Sequence, residues 1–459
     1  MKKCFCFWMC ATLLMLAAPG AIAQRTLYVS QNSPTPASPY ATWDTAAHAI
    51  QEAVDAAGDG DTVLVAEGEY LLLAQITVNK AILLRSVMGA GQTRLNGQNR
   101  TRCLWISNSL AVVDGFTMYR GYEAAGGALA GGVVMIGGVL SNCIVQDTFP
   151  EGRLVYCSSG GLISDCRILD NRSGTEINGA GVYLTNSQLR NSVISGIRGS
   201  GYAAGVYGAG VYAVSSTISG CTITDNWAKR AGGGAYLDGC EVDISIIVGN
   251  VSGHHFASPG LGGGIFATNS VIRNSLVAAN VANPGDDGNV EGSVPGFGGG
   301  IYLRGGSLLN CTVTGNQAAS AGGIHAGSST VRNSIIYFNS ASSNANWYNV
   351  GGGGGSFDHS CTTPDPGGLG NIVEDPQFVD RTNGNYHLAP TSACIDAGAN
   401  EQWMRGARDL DRNPRIINRT VDFGAWETRR RTRWSPGIKW TIEAGKRDAD
   451  ELFRPGFAQ

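Results

Sequence analysis

Gly210-Val211-Tyr212-Ala213-Val214-Ser215-Ser216-Thr217-Ile218-Ser219-Gly220-Cys221-Thr222-Ile223-Thr224-Asp225-Asn226 is one unit of a repeat, and its reading decides the fold. Cys221 occupies a position that Cys143, Cys166, Ser192, Ser245, Ser275, Cys311 and Ser334 fill elsewhere. Three residues before it stands an apolar residue (Leu140, Ile163, Leu189, Ile218, Val242, Ile272, Leu308, Val331), and two after it another (Val145, Ile168, Ile194, Ile223, Ile247, Val277, Val313, Ile336). The spacing between successive Cys/Ser positions runs from 23 to 36 while this local pattern stays fixed. Insertions therefore fall at one place, between a turn Asn (Asn171, Asn226, Asn250, Asn280, Asn316, Asn339) and the next Gly-rich start. That is how a solenoid accommodates length variation.

Strand parity follows from the same unit. Side chains alternate along a strand, so the Cys/Ser position and the residue two beyond it point inward together. The apolar residue three before has the opposite parity, so a bend must intervene. The Asn or Asp just before the Cys/Ser supplies it, since Asn tolerates the left-handed conformation. A third strand opens each coil, as in Gly181-Val182-Tyr183-Leu184, Gly264-Ile265-Phe266-Ala267 and Gly300-Ile301-Tyr302-Leu303. Short β-branched runs bounded by Gly and Asn lack a helical period. The expected fold is all-β: a right-handed, three-sided parallel β-helix over 61–340, roughly ten coils at about 4.8 Å each.

The flanks read differently. Lys2 and Lys3, an apolar stretch over 4–18 and Ala21-Ile22-Ala23 form the pattern of a secretory signal peptide over 1–23. Without Lys2 and Lys3, 31 of the 33 basic residues face 36 acidic ones, a net charge of −5 that gives no global attraction for nucleic acid. No later stretch is long and apolar enough to span a membrane. An exported, extracellular or cell-surface chain, monomeric, is expected. Residues 24–60 form an amino-terminal cap, with Ala46, Ala49, Ile50, Ala53 and Val54 at helical spacing predicting an amphipathic helix over 44–57. Gly351 to Gly355 reads as a flexible loop, 341–427 as that loop plus a carboxy-terminal cap module, and 428–459 as a basic, then mixed-charge tail.

Two stretches carry a family resemblance. Ala49-Ile50-Gln51, Gly60-Asp61-Thr62-Val63-Leu64-Val65 and Gly68-Glu69-Tyr70 resemble the entry cap of pectate-lyase-like parallel β-helix proteins. Asp375-Pro376-Gln377-Phe378, Tyr386-His387-Leu388, Ile395-Asp396-Ala397-Gly398, Asp409-Leu410-Asp411 and Val421-Asp422-Phe423-Gly424-Ala425-Trp426-Glu427 are similar to the choice-of-anchor Q module. The first resemblance implies a β-helix that handles extracellular polymers, the second surface display. Neither carries a catalytic residue over to this chain.

Candidate site residues come from the outward parity of the opening strands. Tyr183, Tyr212, Tyr236, Phe266, Tyr302 and His325 should form a stripe of rings, flanked by loops bearing Trp227, His254 and Asp286. A rise of about 4.8 Å per ring suits an extended glycan, and a self-stabilising ladder of rings explains the stripe equally. Asp286, Asp287 and Glu291 offer oxygens to a hard cation such as Ca²⁺, although a solvated acidic loop has the same composition. Glu241 and Asp243 share a strand face, with no Arg or Lys beside them in sequence. Catalytic residues are not assigned and no other cofactor is expected. The preferred reading is a non-catalytic protein binding an extracellular polysaccharide or matrix; the alternative is a polysaccharide lyase or glycoside hydrolase on the same scaffold.

Overall fold

A computed structural model describes residues 24–122, 129–148, 152–173, 178–199, 206–253, 259–283, 294–349 and 355–429. The signal-peptide segment, His254, Asp286, Asp287, Glu291, residues 351–354 and the tail from 430 lie outside the described residues.

The chain winds as a parallel β-solenoid, and one coil shows how. Its strands are Val211–Val214, Thr217–Ser219, Thr222–Thr224 and Trp227–Ala228. Between them the chain turns at Ser215, Gly220 and Asp225, with φ of 48°, 67° and 56°. The predicted bend before the Cys/Ser position is left-handed throughout, at Asn142, Asp165, Asn191, Gly220, Ile244, Asn274, Asn310 and Asn333. Asn, Asp and Gly adopt this conformation cheaply; the β-branched Ile244 does so under strain.

Stacking the coils in register gives three large parallel sheets of 22, 12 and 7 strands. The first and second strands of each coil share the 22-stranded sheet, because Ile265–Arg273 and Ile301–Leu309 run unbroken through the intervening corner. Three strands per coil are expected from the repeat. A fourth, usually two residues long, appears from Arg172–Ser173 to Ser340–Ser343, where the chain stays extended after the turn Asn.

The inward positions are those parity assigns: Val211, Ala213, Ile218, Cys221 and Ile223 are all buried. Each large aliphatic side chain so buried contributes about 1.5–3 kcal/mol. The turn Asn side chains are buried too and hydrogen-bond along the stack. Asn226 Nδ2 donates to Asn250 Oδ1 at 2.9 Å, Asn250 to Asn280 at 3.0 Å, Asn280 to Asn316 at 3.0 Å and Asn316 to Asn339 at 2.9 Å. Glycines precede the first strand because a side chain would not fit: a Cβ on Gly264 would sit 2.9 Å from the Asn280 amide.

The ends are closed differently from expectation. The helix spans only Ile50–Ala56, since Ala47 is drawn into the sheet by backbone bonds with Tyr28 and Ser30. Ile50, Ala53 and Val54 still plug the first coil. Gln51 Oε1 accepts the Thr77 N–H at 2.8 Å, and Lys80 Nζ caps the helix carboxyl end by donating to Asp55 and Ala57 carbonyls at 2.7 and 2.6 Å. The ladders start at Thr26–Val29 and extend one coil past residue 340, through Trp347–Asn349, Ser356–Asp358 and Cys361–Thr362.

Beyond this coil, Ile372 pairs with Cys361, and the Thr363 carbonyl accepts Asn346 Nδ2 at 2.9 Å, so this segment covers the open end. The rest of the module runs back along the side of the solenoid. Tyr386, Leu410, Ala425 and Trp426 pack on Val248, Leu276 and Ala278, while Leu388, Cys394, Ile395 and Phe423 pack on Ile335 and Cys361. The bend asparagines take part: Asn310 Nδ2 donates to the Asp422 carbonyl at 3.2 Å, and Asn333 Oδ1 accepts Ala399 N–H at 2.8 Å. At the centre, Arg415 and Glu427 form an ion pair at 2.6 Å with both side chains fully buried. Burial pushes Glu427 up to about 8 even against the pull of Arg415.

Candidate functional site

The outward residues of the opening strands form one continuous stack. Tyr183–Tyr212, Tyr212–Tyr236, Tyr236–Phe266, Phe266–Tyr302 and Tyr302–His325 have centroid separations of 5.1, 4.7, 4.9, 5.2 and 4.4 Å, with ring planes within 10° of parallel. Strand register sets the pitch; the rings supply the attraction.

This geometry changes what the stripe offers. Each inner ring is covered on both faces by its neighbours; Tyr183, Tyr212, Tyr236 and Tyr302 stay half-buried at their edges, while Phe266 and His325 are buried. A sugar cannot stack on these faces as on an open platform. The stripe presents a row of phenolic donors and acceptors on an apolar rim. Burial raises the Tyr212 phenol to about 12 and lowers His325 to about 4, so both are neutral near pH 7.

Two rings were missed in the sequence. Tyr156 continues the stack beyond Tyr183 at 5.4 Å, and Tyr348 tilts against His325 at 5.4 Å, 40% exposed. The six rings found stand six residues before the apolar residue of the next strand, as Tyr212 does before Ile218. Tyr156 stands seven before Ile163, and Tyr348 lies in the extra coil, so neither fits that spacing. A side row flanks the stack: Tyr207 is edge-on to Tyr236 at 5.4 Å and Phe297 to His325 at 5.6 Å. The Arg153 guanidinium lies 4.4 Å from the Tyr183 ring centre. On the other side stand the outward residues two further along, among them Asp238, Thr268 and Arg304.

The insertions fall at one place in the coil order. Residues 174–177, 200–205, 254–258 and 284–293 each follow a fourth strand and precede an opening aromatic strand. Asp286, Asp287 and Glu291 belong to the last of these segments. Among the described residues no group of three or more His, Cys, Asp or Glu is placed to hold a metal ion. Trp227 sits apart from the stack and on a strand instead of a loop, paired with Arg198 and Val251 in the 7-stranded sheet.

The carboxylates of Glu241 and Asp243 acquire the partner that sequence did not show. Arg273, from the next coil, reaches them at 3.3 and 3.2 Å and lies 5.5 Å from the Trp403 ring of the carboxy-terminal module. Asn274 Nδ2 also donates to Asp243 at 2.8 Å. These carboxylates are tied into the seam between solenoid and module. A further polar cluster joins Glu69, Asn96 and Tyr119 across the first three coils. Tyr119 and Asn96 both donate to Glu69 Oε1, and the Tyr119 bond foremost holds that carboxyl below the usual range.

No family model and no curated protein matches the sequence. Solved structures resemble it in fold. XylC in complex with xylose has a TM-score of 0.51 at 9% identity, covering 88% of this chain and 98% of that one. Pectate lyase Pel9A has a TM-score of 0.45 at 16% identity, covering 89% and 98%. A rhamnogalacturonan lyase has a TM-score of 0.39 at 13% identity, covering 80% and 95%. At these identities the likeness shows the fold alone, that of a parallel β-helix.

Proposed function

We propose that this is a secreted or cell-surface β-helix protein that binds an extracellular polysaccharide along the stacked aromatic row, without turning it over. One observation carries the reading: the insertion points lead into opening strands that bear rings of the row. In repeat proteins, insertions gather on the face that binds. A glycan chain lying along the axis meets the hydroxyls of Tyr183, Tyr212, Tyr236 and Tyr302, with a gap at Phe266 and with the side row of Tyr207 and Phe297 as one flank. Sugars are recognised there through hydrogen bonds to ring hydroxyls and contact with ring rims, not through face stacking. That polysaccharide-acting enzymes share the fold is an analogy, since sites are grafted onto folds. The choice-of-anchor Q likeness adds surface display to the proposal.

Tyr→Phe changes separate recognition from scaffold. Tyr212→Phe and Tyr302→Phe keep the stack and remove the hydroxyls, so melting temperature should hold while retardation in polysaccharide-containing gels weakens. Unchanged retardation on every glycan that slows the wild type would refute the site. The same glycans, assayed for unsaturated products and new reducing ends, test the non-catalytic half; turnover on any of them would overturn it.

A further inference from the structure

Nine cysteines remain beyond the expected signal peptide, and all nine are buried as free thiols in this structure. Most are held within the solenoid by a carbonyl of its own coils: Cys221 Sγ approaches the Leu189 carbonyl at 3.6 Å, and Cys311 Sγ that of Ile272 at 3.6 Å. Cys361 and Cys394 differ. The first is on the last coil, the second in the carboxy-terminal module, and they share one apolar cluster with Ile335, Leu388, Ile395 and Phe423. Their thiols are near enough to influence each other across this cluster, and Cys361 Sγ lies 3.3 Å from the Glu374 carbonyl.

We propose that Cys361 and Cys394 are a disulfide site that fastens the module to the last coil. The shared cluster already brings the two side chains together from separate structural units. Cys143 and Cys166 are neighbours too, but they follow each other on one ladder, where side chains run parallel instead of converging. The oxidant is a small disulfide, RSSR. One thiolate attacks it, forming a mixed disulfide and releasing RS⁻; the second thiolate then displaces the other RS⁻. The net change is two protein thiols lost, one S–S bond gained and two RSH formed. The neighbouring Cys394 thiol foremost, with burial, raises Cys361 far above the usual thiol range, so the docked pair reacts slowly. The first attack proceeds while the module is open; docking brings the second thiol to the mixed disulfide and then shields the new bond.

The test uses the purified mature chain equilibrated with oxidised glutathione, acid-quenched, unfolded and alkylated without reductant. Seven alkylated cysteines and a cross-linked Cys361–Cys394 peptide pair are expected. Nine alkylated cysteines, or a Cys143–Cys166 link in its place, would overturn the proposal. Limited proteolysis gives an independent readout: dithiothreitol should speed cleavage of the oxidised wild-type module at least several-fold and leave Cys361→Ser and Cys394→Ser unaffected. Wild-type cleavage that ignores dithiothreitol would count equally against it.

Discussion

Replacing Asn280 by Ala tests the buried amide ladder at its middle. Asn280 is fully buried and its side chain makes four hydrogen bonds. Its Nδ2 donates to the Ile247 carbonyl at 2.9 Å and to Asn316 Oδ1 at 3.0 Å. Its Oδ1 accepts the Asn250 backbone N–H at 2.9 Å and Asn250 Nδ2 at 3.0 Å. The losses are unequal. Asn316 Oδ1 keeps the Asn280 backbone N–H, and Asn250 Nδ2 keeps the carbonyls of Ile223 and Val248. The Asn250 backbone N–H loses its partner in a fully buried site. One orphaned buried donor costs about 1–3 kcal/mol, and the remaining bonds about 1 kcal/mol or less each, so Asn280→Ala should cost about 3–4 kcal/mol. Denaturant unfolding gives the total, and hydrogen exchange at the Asn250 amide should rise first and furthest. A cost below about 1 kcal/mol with that amide still protected would show that the ladder is not what closes this corner.

His325 makes stability depend on acid. Its folded value near 4 lies below the ordinary 6.5, so its contribution is complete above pH 6.5 and is lost as pH falls toward 4. The loss should total about 3 kcal/mol and vanish in His325→Phe, as denaturation at several pH values would show. Arg415→Met leaves Glu427 buried without its partner. A cost of about 3–5 kcal/mol is expected, with faster proteolysis across 376–427; a variant as stable and resistant as wild type would remove the pair from the seam. Cys221→Ser should cost no more than about 1–2 kcal/mol, because Ser192 and Ser245 already occupy that position in adjacent coils. A larger drop in melting temperature than this implies would show that the site demands sulfur.

The solenoid was legible because its signals are chemical types at fixed spacing. A small residue such as Cys221, an apolar residue two further on and a bend residue before it define two strands and a corner. The fourth strands were not legible, since two residues such as Trp227–Ala228 carry no period. Nor was a second small-residue row at the preceding corner, where Ser187, Ser216, Cys240, Ser270 and Ser329 are buried. The stripe was found by parity, but parity cannot say that rings one coil apart will cover each other's faces. The lateral course of the module had an unread signal. Outward positions of the third strands change from Arg167, Val193 and Thr222 to Ile246 and Leu276, and Ile335 follows later. Those side chains needed a cover, and the module supplies it.

That cover alters how the molecule comes apart. In a bare solenoid each coil touches only its neighbours, so unfolding can start at either end and proceed stepwise. Here a single segment grips the coils bearing Val248, Leu276, Thr312, Ile335 and Cys361 at once. None of them can peel away without releasing the segment, and its release exposes all of them together. The carboxy-terminal coils are thereby welded into one cooperative block, while the amino-terminal coils keep the freedom to unzip one at a time. Heat or force should therefore empty the molecule from the amino-terminal side, in small steps followed by one large one.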